Sequence, residues 1–120
     1  MFDLTERKPP RSILANKYLH ALLSYFALQV GETAEYVKLH YYKELCNKEI
    51  FVREKADKFT GGTVRYLRSS SELDSAEFSL SIDRFRNWSS AVAGIYIPSA
   101  DEHRLVTLME MEVERAKEYL

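Results

Sequence analysis

The stretch from residue 69 to residue 102 most constrains the fold, because it contains two helix starts and one helix stop. An Asp-x-x-Glu capping box begins at Asp74, where each acidic side chain accepts a hydrogen bond from the other residue's backbone amide. Gly94 is placed to end this helix, since glycine adopts a positive φ without steric cost. A Ser-x-x-Glu box then begins at Ser99. The stretch predicts two helices joined by a short extended linker.

The first part of the chain predicts an irregular arm and two further helices. Residues 1–11 contain Pro9-Pro10, which prevents a helix and favours extended backbone. A first helix is expected after Ser12, ending at Gly31. A second is expected after Thr33, and it runs to about Cys46-Asn47. The apolar stripe of this second helix, at α-helical spacing, is expected to consist of Val37, Tyr41 and Leu45.

Two β-prone runs follow the second helix. Residues 50–53 and 63–68 flank a Gly61-Gly62 turn signal and predict a two-stranded hairpin. In the second run, alternation places Tyr66 and Arg68 on one face and Arg65 on the other. We therefore predict an α+β protein of four helices, with a small β-hairpin inserted between helices 2 and 3. Residues 12–120 are expected to form a single domain.

The sequence contains no motif that is typical of a catalytic or metal site. His20, His40 and His103 lack the spacing of metal ligands, and Cys46 is the single cysteine, which excludes an internal disulfide. Gly61-Gly62 is too short for a phosphate-binding loop. We expect no enzymatic activity, no metal and no cofactor.

Cysteine content and hydropathy also bear on location. A lone cysteine fits a reducing compartment. The apolar runs are shorter than the roughly 18 residues that a membrane helix requires. We expect a cytoplasmic protein without membrane association. A chain of 120 residues buries a modest share of its surface, so a homodimer is also expected.

The net charge of −1 hides a basic middle and an acidic end. Residues 38–68 carry eight basic and four acidic side chains, whereas residues 69–120 carry five basic and ten acidic ones. Cations interleaved with aromatic side chains are typical of proteins that bind single-stranded nucleic acid. The competing interpretation is that the aromatic residues form the core and the cations decorate an ordinary surface.

The candidate contacts can be named from this composition. The residues expected to contact phosphates are Lys38, Lys43, Lys48, Arg53, Lys55, Lys58, Arg65 and Arg68. The residues expected to stack on bases are Tyr42, Phe59 and Tyr66. Arg11 and Lys17 are further candidates for phosphate contacts, since Arg11 shortly precedes the first helix, whose positive end suits an anion. The competing interpretation is that Arg11 has a structural role and pairs with Glu32 or another carboxylate.

Three motifs in order along the chain, at residues 11–20 (RSILANKYLH), 69–78 (SSSELDSAEF) and 94–98 (GIYIP), resemble those of the phage NinB (Orf) family of recombination proteins. Residues 11–20, RSILANKYLH, resemble the entry motif RSxxQN(R/K)xxH/W of that family. Residues 69–78 resemble its (S/T)SxLxxxE(F/M) segment, and residues 94–98, GIYIP, resemble its signature before the terminal helix. The likeness covers roughly residues 11–102.

The resemblance implies a non-catalytic, homodimeric phage or prophage protein that binds single-stranded DNA and assists homologous recombination. It further implies cooperation with a single-strand-binding protein and a recombinase. Arg11, Ser12 and Asn16 match the entry motif by position, while Ala15 stands where the family has Gln. Asn16 joins the candidate DNA-binding residues on this ground. The alternative hypothesis is a dimeric protein-interaction module that uses its acidic C-terminal helix and does not bind DNA.

Overall fold

The computed structural model describes residues 13–117, which form a helical body with one small hairpin. In chain order the elements are α1 (Ile13–Val30), α2 (Ala34–Tyr36) continuing as a π-helix (Val37–Cys46), α3 (Lys48–Phe51), β1 (Val52–Ala56), β2 (Thr63–Leu67), a 3-10 turn (Ser70–Glu72), α4 (Ser75–Trp88) continuing as a π-helical turn (Ser89–Ala93), and α5 (His103–Lys117). The predicted α+β class is confirmed. Residues 13–117 contain five α-helices instead of the predicted four, because the short helix α3 precedes the hairpin. Arg11 and the irregular arm lie outside the described residues.

The predicted helix–linker–helix unit is confirmed. The Asp74 carboxylate accepts the amide of Glu77 at 2.8 Å, and the Glu77 carboxylate accepts the amide of Asp74 at 3.2 Å. The helical segment that begins at α4 ends at Gly94, which has φ 69°. The predicted box at Ser99 forms only in part: the Glu102 carboxylate accepts the amide of Ser99 at 2.7 Å, whereas the Ser99 hydroxyl donates to the Asp101 carboxylate at 2.6 Å, and α5 begins at His103.

The predicted apolar stripe of the second helix is correct for Val37, which is buried, and for Tyr41, which packs against the core, but it is wrong for Leu45. Leu45 is 57% exposed, whereas Val37, Tyr42 and Asn47 are fully buried. The reason is the π-helical backbone, in which hydrogen bonds join residues five apart, so residues at that spacing share a face. Tyr42 therefore points into the core and shares a hydrogen bond of 2.7 Å with the hydroxyl of Ser81. This burial removes Tyr42 from the candidates for base stacking.

The first predicted strand begins later than expected. Ile50 and Phe51 lie in α3 and belong to the hydrophobic core, so the strand begins at Val52. Asn47 starts this short helix, and its backbone carbonyl accepts the amides of Ile50 and Phe51 at 3.0 Å. The core that receives them is formed mainly by α1, the π-helix and α4, with Phe26, Tyr42 and Phe85 at its centre.

The hairpin is antiparallel and is anchored at one end only. Its register pairs Val52 with Leu67, Arg53 with Tyr66, Glu54 with Arg65, Lys55 with Val64, and Ala56 with Thr63. Leu67 packs against the core, and both strands become exposed towards the turn. The hairpin therefore presents most of its length to solvent.

Within residues 13–117 no helix combines the length and apolar character needed to cross a membrane.

Candidate nucleic-acid interface

One face of the hairpin combines cations with an aromatic ring. Alternation along the two paired strands places four side chains together on this side, here called the Tyr66 face: Arg53, Lys55, Val64 and Tyr66. The Lys55 ammonium lies 5.5 Å from the centroid of the Tyr66 ring, and Tyr66 is 41% exposed. This separation is within the range of a cation–π contact. The face therefore offers positive charge and an aromatic surface within a few ångströms of each other.

Arg53 is held in place on the Tyr66 face by the backbone. Its Nη1 donates to the carbonyl oxygens of Glu49 and Val52, each at 3.0 Å. Both bonds use the same nitrogen, and a guanidinium group has five N–H donors. The remaining donors can bind an anion without disturbing these contacts.

The opposite face of the hairpin, here called the Arg65 face, turns towards the body. Leu67 and Val52 lie on it at the anchored end. Arg65 is opposite Glu54 in the ladder and donates to the Glu44 carboxylate at 3.1 Å. Its charge is thus paired within the protein, and the Tyr66 face is the stronger candidate for a nucleic-acid contact.

The turn of the hairpin, residues 57–62 and here called the hairpin tip, is organised around Asp57. The two carboxylate oxygens of Asp57 accept the Phe59 amide at 3.2 Å and the Thr60 hydroxyl at 2.9 Å. The Asp57 carbonyl accepts the amide of Gly61 at 3.0 Å, and the Asp57 amide donates to the carbonyl of Gly62 at 2.8 Å. Phe59 is 95% exposed on this turn, next to exposed Lys58. Sequence analysis missed the role of Asp57, although an Asp followed two and three residues later by its partners is typical of an Asx turn.

Two predicted phosphate contacts are instead structural. Lys43 is only 7% exposed, donates from Nζ to the carbonyl of Arg68 at 2.9 Å, and lies 5.2 Å from the centre of the Phe51 ring. Burial, together with the nearby charge of Lys38, lowers the pKa of the Lys43 ammonium. Lys43 is therefore not available at the surface for a phosphate.

Arg68 joins three segments of the fold. Its Nη1 donates to the carbonyl of Ile50 at 3.0 Å and to the Glu77 carboxylate at 3.4 Å, while Nη2 donates to the carbonyl of Glu72 at 3.2 Å. These contacts link the end of β2 to α3, the 3-10 turn and α4. The prediction that Arg68 is a free phosphate contact is therefore wrong, because its guanidinium is committed to the fold.

The other predicted contacts are dispersed over the helices. Lys38 forms an ion pair of 3.5 Å with Glu35, and exposed Lys48 begins α3. Asn16 is exposed on α1. Lys17 lines a groove of about 680 Å³ between α1 and α5, which also contains Glu110 and Glu114. Of the predicted set, the structure brings six onto the hairpin: Arg53, Lys55, Lys58, Phe59, Arg65 and Tyr66.

Groups that could support other chemistry are sparse in the described part of the chain. Among residues 13–117 no cluster of three or more His, Cys, Asp or Glu side chains is arranged to hold a metal ion. Burial raises the pKa of the Cys46 thiol to about 12, so it is almost entirely protonated near neutral pH.

Comparison with known protein families, curated proteins and solved structures finds no match to this chain.

Proposed function

We propose that this chain is a non-catalytic phage or prophage protein that binds single-stranded DNA and assists homologous recombination. The observation that supports the proposal is the Tyr66 face, where Lys55 lies against an exposed aromatic ring and Arg53 lies opposite in the ladder. The resemblance of three ordered motifs to the NinB family points in the same direction. On this proposal the protein acts in the cytoplasm as a homodimer, with a single-strand-binding protein or a recombinase as partner.

The chemistry of the Tyr66 face favours a single strand over a duplex. Stacking on an aromatic side chain requires a base whose π-face is open, and bases inside a duplex are already stacked on their neighbours. The cations suit phosphates of any sequence, because they contact the backbone and not the base edges. Sequence-independent binding of single strands is the expected result.

A second function is favoured by a separate observation on α5. Leu105, Leu108 and Met111 are exposed on this helix, although it packs against α1. Exposed apolar side chains close together on one helix are typical of a protein contact. The alternative is therefore a dimeric protein-interaction module that uses α5 and does not bind DNA.

The two functions are distinguished by a titration of labelled single-stranded and duplex oligonucleotides, followed by fluorescence anisotropy. If Arg53, Lys55 and Lys58 each neutralise one phosphate, the slope of log affinity against log salt for a single strand is about −2. Raising the salt fourfold then weakens binding about 20-fold. Tighter binding of the single strand with such a slope supports the DNA-binding function. Absence of binding at low salt, or affinity that is independent of salt, contradicts it and favours the protein-interaction module.

A further inference from the structure

The hairpin tip presents the most exposed large apolar side chain of the described residues. Phe59 is 95% exposed, more than any other large hydrophobic residue between residues 13 and 117. Burying a phenylalanine side chain in an apolar environment is worth roughly 1.5–3 kcal/mol. A ring that lies open on both faces gains this stabilisation only when a partner covers it.

The turn holds Phe59 in place without using its ring. Only the backbone amide of Phe59 takes part, donating to Asp57 at 3.2 Å. The turn is closed by further bonds from Thr60 to Asp57 at 2.9 Å and from Gly62 to Thr60 at 3.2 Å, and Gly61 adopts φ 75°. The hydrogen bonds of the turn fix the backbone of residue 59 at the end of the hairpin, so little backbone freedom is lost when the ring binds. The identity of residue 59 is thus not dictated by the fold of the turn.

The surroundings of Phe59 indicate what kind of partner it fits. Its neighbours in the turn are polar or glycine, and Lys58 beside it is exposed, so no surrounding side chains are placed to exclude water from the ring as they do around a protein-binding hot spot. Lys55 and Tyr66 lie further along the same hairpin. A single aromatic ring flanked by cations matches a stacked base flanked by phosphates.

We propose that Phe59 is a wedge that stacks on the terminal base pair where a duplex opens into a single strand, so that the protein recognises such junctions. This inference rests on the proposed function. The Tyr66 face holds the single strand, and the tip lies at the end of that face, where the strand enters the duplex. The open ring occupies the position of the next base in the stack.

The experiment compares three ligands that share one sequence: the single strand, the blunt duplex, and a duplex carrying that strand as a tail. We expect the wild-type protein to bind the tailed duplex about tenfold more tightly than the single strand, since one stacked base is worth roughly a factor of ten. Phe59→Ala should abolish this preference, so that it binds the tailed duplex and the single strand with equal affinity. Phe59→Trp should retain the preference. Lys58→Ala should lower the affinity for the tailed duplex and for the single strand by a similar factor.

A 2-aminopurine placed in the terminal base pair of the tailed duplex gives a second readout. Its fluorescence should change on binding to the wild-type protein and not on binding to Phe59→Ala. If wild type binds single strands but Phe59→Ala keeps the junction preference, or loses affinity equally for both ligands, the junction inference is wrong while the proposed function stands. If wild type binds no DNA, the proposed function itself fails. Thermal unfolding of Phe59→Ala should match wild type, because the ring has no role in the turn.

Discussion

The ammonium group of Lys55 lies 5.5 Å from the centre of the Tyr66 ring, diagonally across the two strands of the hairpin. This relationship places a cation beside an aromatic surface on the part of the hairpin that turns away from the body. A base that stacks on Tyr66 brings its own phosphate within reach of Lys55. Within residues 13–117 the contact of Lys43 with the Phe51 ring does not offer this, because it lies inside the fold.

Lys43 should make stability depend on pH in the alkaline range. Burial lowers the pKa of Lys43 below its ordinary value of 10.5. Between the folded-state pKa and 10.5 the unfolded chain binds more protons than the folded one, so this group makes the free energy of unfolding rise with pH across that window. Lys43→Met should remove this contribution. Urea unfolding of both proteins from neutral pH to pH 10 measures it, and parallel curves for the two proteins would contradict the assignment.

Arg68 and Arg65 should respond differently to truncation, although both lie near the end of β2. Arg68 donates to two backbone carbonyls and a carboxylate. Arg68→Ala leaves these groups without this donor and should lower the free energy of unfolding by about 2–3 kcal/mol. Arg65→Ala removes one exposed ion pair with Glu44 and should cost at most about 1 kcal/mol. Equal losses for the two variants in chemical denaturation would argue against a structural role for Arg68.

Asn47 should be essential to the end of the π-helix. Its Nδ2 donates to the carbonyls of Tyr42 at 2.8 Å and Ser81 at 3.0 Å, in a position without solvent exposure. Asn47→Ala leaves two buried carbonyls without that donor and should destabilise the fold by about 2–4 kcal/mol. Asn87→Ala, on an exposed position of α4, is the matched control and should stay within about 0.5 kcal/mol of wild type. A wild-type melting temperature for Asn47→Ala would mean that the π-helical register does not depend on this side chain.

The contacts of Glu102, in the linker before α5, should stabilise the fold less in acid. Hydrogen bonds from the Tyr96 hydroxyl, at 2.5 Å, and from the Ser99 amide hold the pKa of the Glu102 carboxyl below its ordinary value of 4.5. Its contribution to stability is therefore present above pH 4.5 and is lost as the pH falls through the folded-state pKa. Tyr96→Phe removes the first donor and should reduce the drop in stability on acidification. Thermal unfolding at a series of pH values from 6 to 3 checks this, and an unchanged drop would count against the contact.

Local signals predicted the elements whose ends are fixed by nearby residues. The capping box at Asp74 and the stop at Gly94 are features of a few adjacent residues, so sequence alone places α4 correctly. The start of β1 was misplaced because Ile50 and Phe51 have high strand propensity, and their burial in the core outweighs it. The π-helix was missed because α-helical spacing also gives an apolar stripe in that segment.

The candidate site was predictable in composition and not in geometry. The alternation of Arg65 and Tyr66 onto opposite faces follows from strand geometry alone. The burial of Lys43 depends on contacts with Arg68 and Phe51, which are distant in sequence, so no local pattern reveals it. The count of basic residues therefore included Lys43 and Arg68, whose side chains bind other parts of the fold.

The proposed function requires the Tyr66 face to bind single-stranded DNA. Anisotropy titration of a labelled single strand with wild type, with Lys55→Gln/Tyr66→Ala, and with Lys117→Gln on α5 tests it most directly. The double variant should bind about 30-fold more weakly, because it loses one stacking ring and one phosphate contact, and its salt slope should be smaller in magnitude by about 0.7. Lys117→Gln, which removes the same charge elsewhere, should bind like wild type. A double variant that binds as tightly as wild type, with the same salt slope, would contradict the account.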